Sequence, residues 1–452
     1  MRRVVITGLG VVSPLGVGRK AYWEGLSSGR SATKHLSKVH SCDLYGGFEF
    51  AAQTVAEVDD FDPGGLPAEV QRLDRYIQFA VAGAQQAIAD AELDPATLDR
   101  DRFGIALATA ICGTRQMERE FVTVTDGGRN PVDPRLAGYD LYLASMSNTP
   151  SIILAAMTGA RGPCLTLSTG CVGGIDSIGY GYEAIAYGEA DVMLAGASEA
   201  PITPITTASF EIINCLSTRF NDRPEASSRP FDAQRDGFVL AEGCGVVVLE
   251  EWEHARARGA PVYGEITGFA LGCNATHMTD LLNDGADLAR TMTDALAVAD
   301  ITAGDVDHVN AHGSSTPQND SCETRALVRA LGQRATRIPV NSTKSMTGHP
   351  LSAASAQEIV ACALALRYRY VHPTINYEYP DPQCHLDYVP NTGRDWDGEV
   401  ILSDASGFSG LHASIVLRAV PPAGARTEFP AGARTEFPAG ARLEFPAGRA
   451  RR

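Results

Sequence analysis

Apolar positions along this chain alternate between short unbroken runs and spacings of three and four, which are the marks of buried strands and of helices. Arg3–Thr7 is an apolar run that predicts a buried strand, and Gly8–Gly16 then reads as a loop. Asp74–Ala91 sets Ile77, Ala80, Ala84 and Ala87 on one face of a helix. Phe103–Ala108 reads as a strand, as does the apolar run that opens at Cys164 and stops at Ser168-Thr169-Gly170. Past Cys171 the period is helical, with Ile175, Ile178, Tyr182 and Ile185 on one face. Asp191–Ala195 and Gly243–Glu250 give two further strands, the second built on Gly245-Val-Val-Val-Leu249. Strands alternating with helices predict an α/β fold with mostly parallel sheets.

The pattern then restarts. Gly264-Glu-Ile266-Thr267-Gly268-Phe echoes Val5-Ile6-Thr7-Gly8-Leu, and a second strand–helix series follows. Its strands are Val306–Val309 and Ile338–Val340, its helices Asp320–Leu331 and Ala354–Leu366, and Ser414–Leu417 is the last strand-like run. The echo predicts two similar halves packed together, divided into residues 1–255 and 256–420, with a site at their junction. From Pro422 a unit PAGARTEF repeats with one Pro in each copy. So little of it is apolar that residues 421–452 are expected to be a disordered tail.

Composition narrows the function. The hydrophobic share is 44% and the charged share 20%, as in ordinary soluble enzymes. A net charge of −16 argues against a nucleic-acid partner and against an anionic membrane surface. The ten cysteines include no C-x-x-C pair, so zinc and thioredoxin-like redox chemistry are not indicated. The opening apolar run is broken by Gly8, Gly10 and Pro14, which argues against a signal peptide. Cytoplasmic residence with reduced thiols is therefore expected.

Candidate chemistry gathers where strands end. Cys171 follows a strand and heads a helix, where unpaired N–H groups and the dipole favour a thiolate. Gly170, Gly173 and Gly174 around it read as room for a substrate to approach the backbone. His312, in Val309-Asn-Ala-His-Gly-Ser-Ser-Thr-Pro317, and His349, in Asn341-Ser-Thr-Lys-Ser-Met-Thr-Gly-His-Pro350, each lie in a small-residue loop after a strand. Ligands bind outside the carboxyl ends of strands in open α/β sheets, so one Cys and two His on such loops are candidate faces of one pocket. Lys344 is a candidate source of positive potential or a partner for an acid. Asp320 and Glu323 are first-turn helix charges or supporting groups, with Glu323 a candidate partner of Lys344. Gly407 and Phe408, in Ser403-Asp-Ala-Ser-Gly-Phe-Ser-Gly410, read as a turn that aims a backbone N–H at an oxyanion, or as a core anchor. Cys273 and His277 lack the partners a metal site needs.

Together these segments resemble the elongating β-ketoacyl-[acyl carrier protein] synthases of the thiolase-like superfamily. The resemblance spans roughly residues 2–418: ITGLGVVSPLG at the start, STGC at Cys171, SRPFDAQRDGFVLAEG, NAHGSSTPQND at His312, NSTKSMTGHPLSAASAQE at His349 and SGFSG at Phe408. It implies a thiolase-like fold of two similar halves layered α-β-α-β-α. Ser168-Thr-Gly-Cys171, Gln318-Asn-Asp320 and Ser406-Gly-Phe408 make the chain most similar to the α ketosynthase subunit of a type II polyketide synthase. Val172-Gly173-Gly174 and Ser409 depart from that pattern and leave the acyl preference open.

The resemblance implies Cys171 as nucleophile, and His312 and His349 as donors to a malonyl-derived enolate. It implies the N–H groups of Cys171 and Phe408 as an oxyanion hole, with Phe408 also a gate. Lys344 would supply electrostatics, with Glu323, Asp320 and Gly407 in support. No metal or cofactor is implied. Acyl carrier protein would deliver both thioesters, and a chain-length factor would complete a heterodimer. The alternatives are a homodimeric fatty-acid synthase, a Cys–His hydrolase or acyltransferase, and a non-catalytic scaffold.

Overall fold

The computed structural model describes residues 1–36, 49–281 and 284–420. The repeat tail and Cys42 lie outside these. Ten strands form the body of the main sheet: β1 (Val4–Ser13), β2 (Phe103–Ala108), β3 (Cys164–Leu167), β4 (Val192–Glu199), β5 (Gly243–Glu251), β6 (Gly264–Cys273), β7 (His308–Asn310), β8 (Val340–Asn341), β9 (Val400–Ser406) and β10 (Leu411–Arg418). Their spatial order is β8-β7-β9-β10-β6-β1-β5-β4-β2-β3. Read outward from the central β1–β6 pair, each half has its first, fifth, fourth, second and third strand in turn. The echo at Gly264 therefore marks a repeated topology. The division proposed at 255/256 falls within the short helix Trp252–Ala257.

The expectation of mostly parallel sheets is corrected. β2 pairs parallel with β3 and β4, and β7 pairs parallel with β8 and β9. The five pairings between them, from β4–β5 through β1–β6 to β10–β9, are antiparallel. A helix between strands returns the chain to the same edge, which makes the next strand parallel. β9 and β10 are instead joined by the tight turn Gly407–Gly410, which forces them antiparallel.

A second correction concerns Gly8–Gly16. Most of it is strand, since β1 continues to Ser13 and is buried along its whole length. A Cβ at Gly8 would lie 2.1 Å from the Ala87 carbonyl oxygen, and one at Gly10 would lie 1.8 Å from that of Gly83. These glycines let a helix lie directly on the strand, so they signal close approach and not a turn.

That helix is α1 (Arg75–Asp90), which covers β1, β5 and β4 from outside. α2 (Gly173–Ala186) and α5 (Ser352–Tyr368) touch each other and form a middle layer between the half-sheets. α3 (Ala286–Val298) covers β6 and β10 on the far side and packs against α4 (Pro317–Leu331). Five layers result. α5 is buried from Ser352 to Leu366, and its mix of Ala, Ser and aliphatic residues suits a helix enclosed on every side.

Candidate active site

The loops that follow β3, β7, β8 and β9 converge on one cavity. Cys171, His312, His349, Gly407 and Phe408 all line it. Thr279, Ser314, Thr316, Gln318 and Asn319 give it a polar side. Residues separated by more than two hundred positions thus meet at the carboxyl ends of parallel strands, as such sheets predict.

Cys171 sits in a one-turn 3-10 helix, Gly170–Val172, that feeds α2. Three hydrogen bonds from the start of α5 fix this turn. Ser352 Oγ donates to the Gly170 carbonyl at 2.7 Å, Ser355 Oγ to that of Cys171 at 3.1 Å, and Ile175 N–H donates to Ser355 Oγ at 3.2 Å. Gly173 and Gly174 serve this packing and not substrate access. A Cβ at Gly174 would lie 2.3 Å from Ala356 N, and one at Gly173 would lie 2.9 Å from Ser352 Oγ. Gly170 alone faces open space, and its φ of +60° is one that glycine accepts without strain.

A standing thiolate at the helix terminus is not what the site holds. Burial pushes the Cys171 thiol up to about 12, and Lys344 is the strongest opposing influence. Desolvation outweighs the nearby positive charge, so the free protein holds a thiol.

His312 follows β7 and is fixed through its backbone. Its N–H donates to Glu323 Oε1 at 2.6 Å, and Gly313 N–H donates to Glu323 Oε2 at 2.8 Å. Its carbonyl accepts from Lys344 Nζ at 2.8 Å. His349 is held by its N–H on the Val239 carbonyl at 2.7 Å, and Phe238 meets its ring edge-on at 5.1 Å. The two imidazoles stand edge to face with centroids 5.2 Å apart. Burial first, and Lys344 second, hold both well below the usual histidine range, so both are neutral at pH 7. In both rings Nδ1 is sealed from solvent without a hydrogen-bond partner. A proton on Nε2 leaves only a lone pair in that dry wall.

Lys344 opens a short helix, Lys344–Thr347, and is fully buried. The expectation that Glu323 pairs with it is corrected: Lys344 Nζ bonds Glu358 Oε1 at 2.5 Å. Glu323 is occupied by the His312–Gly313 backbone. Asp320 does not line the cavity and accepts from Phe231 N–H at 2.8 Å and Ser315 N–H at 3.2 Å, with Arg235 3.5 Å away. It braces the loop between His312 and α4.

Gly407 and Phe408 occupy the β9–β10 turn. A Cβ at Gly407 would lie 3.5 Å from Cys171 N and 3.7 Å from the Thr169 carbonyl oxygen, so this turn lies against the Cys171 turn. Phe408 is partly buried, with its ring 6.4 Å from that of Phe210. Cys273 and His277 gather no further ligands, and no cluster of three metal-ligating side chains occurs among the described residues.

Sequence reasoning missed Glu358, Phe238 and the serines that hold the Cys171 turn. Glu358 had a readable signal, being the one charged residue between Ser352 and Leu366 of a helix whose other side chains there, Gln357 apart, are small or apolar. Phe238 and the serines had none, because their roles depend on distant loops.

Similarity to known proteins agrees with this geometry. Residues 1–255 match the β-ketoacyl synthase N-terminal domain, and residues 263–378 match its C-terminal domain. The chain belongs to the β-ketoacyl synthase family. It is 49% identical over 420 residues to a putative polyketide β-ketoacyl synthase 1 of Streptomyces halstedii, covering 92% of this chain and 98% of the relative. A ketosynthase solved with a type II polyketide synthase acyl carrier protein and bound to a hexaketide is 43% identical with a TM-score of 0.87. That match covers 93% of this chain and all of the other. The ishigamide ketosynthase/chain length factor gives 32% identity and a TM-score of 0.84 over the same shares. This β-ketoacyl synthase has the thiolase-like fold, and no helix among its described residues is long and apolar enough to cross a membrane.

Proposed function

We propose that this β-ketoacyl synthase is the catalytic α subunit of a type II polyketide synthase, a cytoplasmic enzyme that condenses a Cys171-bound acyl chain with malonyl-acyl carrier protein. The carrying observation is one cavity that joins the Cys171 turn, two neutral imidazoles and the Gly407–Phe408 turn. Residues 1–255 would carry the nucleophile and residues 256–420 the histidines.

In the first half-reaction Cys171 Sγ attacks the acyl thioester of a carrier protein. The carbonyl oxygen becomes an oxyanion facing the N–H groups of Cys171 and Phe408. Collapse expels the carrier thiol, which takes the proton Cys171 loses. Because burial holds that thiol neutral, proton loss accompanies attack. In the second half-reaction malonyl thioester loses CO2. The enolate oxygen accepts hydrogen bonds from Nε2 of His312 and His349, and neutral donors suit it because they stabilise the charge without being consumed by it. The carbanion attacks the acyl-Cys171 carbonyl, collapse expels the Cys171 sulfur as a thiolate, and a proton taken from solvent returns it to the thiol. Donors of this kind are each worth about 2.7–4 kcal/mol. The polar side of the cavity suits the amides of a carrier-protein arm, and a chain-length factor would be the second subunit.

Three outcomes test the reading. Cys171→Ala abolishes acyl transfer from labelled acyl-carrier protein but releases CO2 from malonyl-carrier protein. His312→Ala or His349→Ala slows that release by about a hundredfold to a thousandfold. Mass spectrometry detects a new carbon–carbon bond when the chain-length factor is supplied. Efficient elongation by the chain alone would favour the fatty-acid reading, and condensation after alkylation of Cys171 would overturn the nucleophile.

A further inference from the structure

Behind His312 the protein buries three carboxyl groups around one ammonium. Glu323 comes from α4, Lys344 from the short helix, Glu358 from α5 and Asp404 from β9, each at most 1% exposed. Lys344 is committed to Glu358 and to the His312 carbonyl. Glu323 is well supplied with donors: the N–H groups of His312 and Gly313, and Asn319 Nδ2 at 3.2 Å. Asp404 is the opposite case. Both its oxygens are buried and receive no hydrogen bond from a protein donor among the described residues, yet its carboxyl lies within bonding reach of Glu323.

Two carboxylates in contact away from water cannot both ionise. The negative charge belongs on Glu323, where the N–H donors are. The proton belongs on Asp404, whose oxygens have none. We propose that Asp404 is a positioning residue: as a neutral acid it donates its proton to Glu323, holding Glu323 under the His312–Gly313 backbone so that the His312 ring faces the cavity. The neighbouring groups fit this assignment, and the buried Asp320 beside Glu323 has Arg235 as its counter-charge. Glu358 is paired with Lys344, the His312 and His349 rings are neutral, and the Cys362 thiol on α5 is pushed up by burial. Burial and the Glu323 charge together push Asp404 well above the ordinary carboxylate range.

The kinetic part of this inference rests on the ketosynthase reading; the protonation state does not. Asp404→Asn replaces the shared proton with a permanent N–H donor, and Asp404→Leu removes the donor while keeping the branching at Cγ. The infrared spectrum of the wild-type chain should contain the carbonyl band of a protonated buried carboxyl that D404N lacks. Malonyl decarboxylation by D404N should stay close to wild type at neutral pH. It should also persist at the alkaline pH where the wild-type rate declines, since the variant has no proton to lose. D404L should lower kcat by about tenfold to a hundredfold with KM little changed.

Identical infrared spectra, superimposable pH profiles, or a D404N as impaired as D404L would each overturn the proposal. So would wild-type activity that depends on potassium or sodium and loses that dependence in D404N, because a bound cation would then do what is assigned to the proton. If D404L does not fold, the spectrum and the D404N profile still decide. If the wild-type chain shows no decarboxylation, the ketosynthase reading fails while the infrared band still settles the proton.

Discussion

At the scale of single residues the site is organised by Lys344, which never lines the cavity. Its ammonium bonds Glu358 and the His312 carbonyl, and its field helps keep His312 and His349 neutral. Lys344→Met would leave Glu358 buried without its counter-charge, a loss of about 3–5 kcal/mol in urea denaturation. The paired Lys344→Met/Glu358→Leu variant should recover much of that stability, since removing both charges removes the stranded one. Decarboxylation should stay depressed in both variants, because the His312 carbonyl has lost its anchor in each. Recovery of activity together with stability would mean that Lys344 serves folding alone. The sequence made Lys344 a candidate but named Glu323 as its partner. Glu323 and Glu358 are both acids in neighbouring motifs, and only the packing of α5 against the loop separates them.

At the scale of elements the decisive contact is α2 on α5. Gly174 brings the two backbones so close that a Cβ would meet Ala356 N at 2.3 Å and the Ser352 carbonyl oxygen at 2.7 Å. Helix propensity alone would make Gly174→Ala stabilising by about 1 kcal/mol. Overpacking against backbone works the other way and should win, giving a net destabilisation of about 1–3 kcal/mol in thermal or urea unfolding. Acylation of Cys171 should also slow, because Ser352 and Ser355 fix its turn from the same helix end. A stabilised, fully active G174A would contradict this account of the glycine pair. The helices themselves were readable: Arg75–Asp90 and Ser352–Tyr368 lie within a few residues of their predicted bounds. The meaning of the glycines was not. Gly8, Gly10, Gly173 and Gly174 resemble loop or substrate signals locally, and only a helix brought in from a distant segment gives them their purpose.

At the scale of the whole molecule, the repeated strand order and the convergence of three loops were legible from one short echo and from motifs at strand ends. The antiparallel centre was not, since pairing between β1, β5, β6 and β10 is set by long connections that carry no local signal. The same enclosure that protects the site gives the fold a pH dependence with a definite sign. Burial raises Glu199 to about 8, from an ordinary value of 4.5, and with the Glu323 charge pushes Asp404 well above its ordinary range. A group whose folded pKa is raised stabilises fully below its unfolded value, and that contribution is lost as pH rises through the folded one. Burial lowers His372 and His412 to about 4 and His308 to about 3, from 6.5. Their contribution is complete above 6.5 and is lost as pH falls from there toward 4. The two sets oppose each other between 4.5 and 6.5, but above 6.5 the raised acids still act, and His254, raised by its hydrogen bond to Glu250, adds to the same decline. Stability should therefore decline as pH rises from 6.5 to 8, read as a falling urea midpoint. Glu199→Gln should flatten that decline, because burial outweighs the hydrogen bonds Glu199 receives, that of the Ala110 N–H among them, and one of its oxygens has no partner. A midpoint that climbs across this interval would mean that these acids are already ionised in the folded chain, contrary to the electrostatics that also keep the Cys171 thiol neutral.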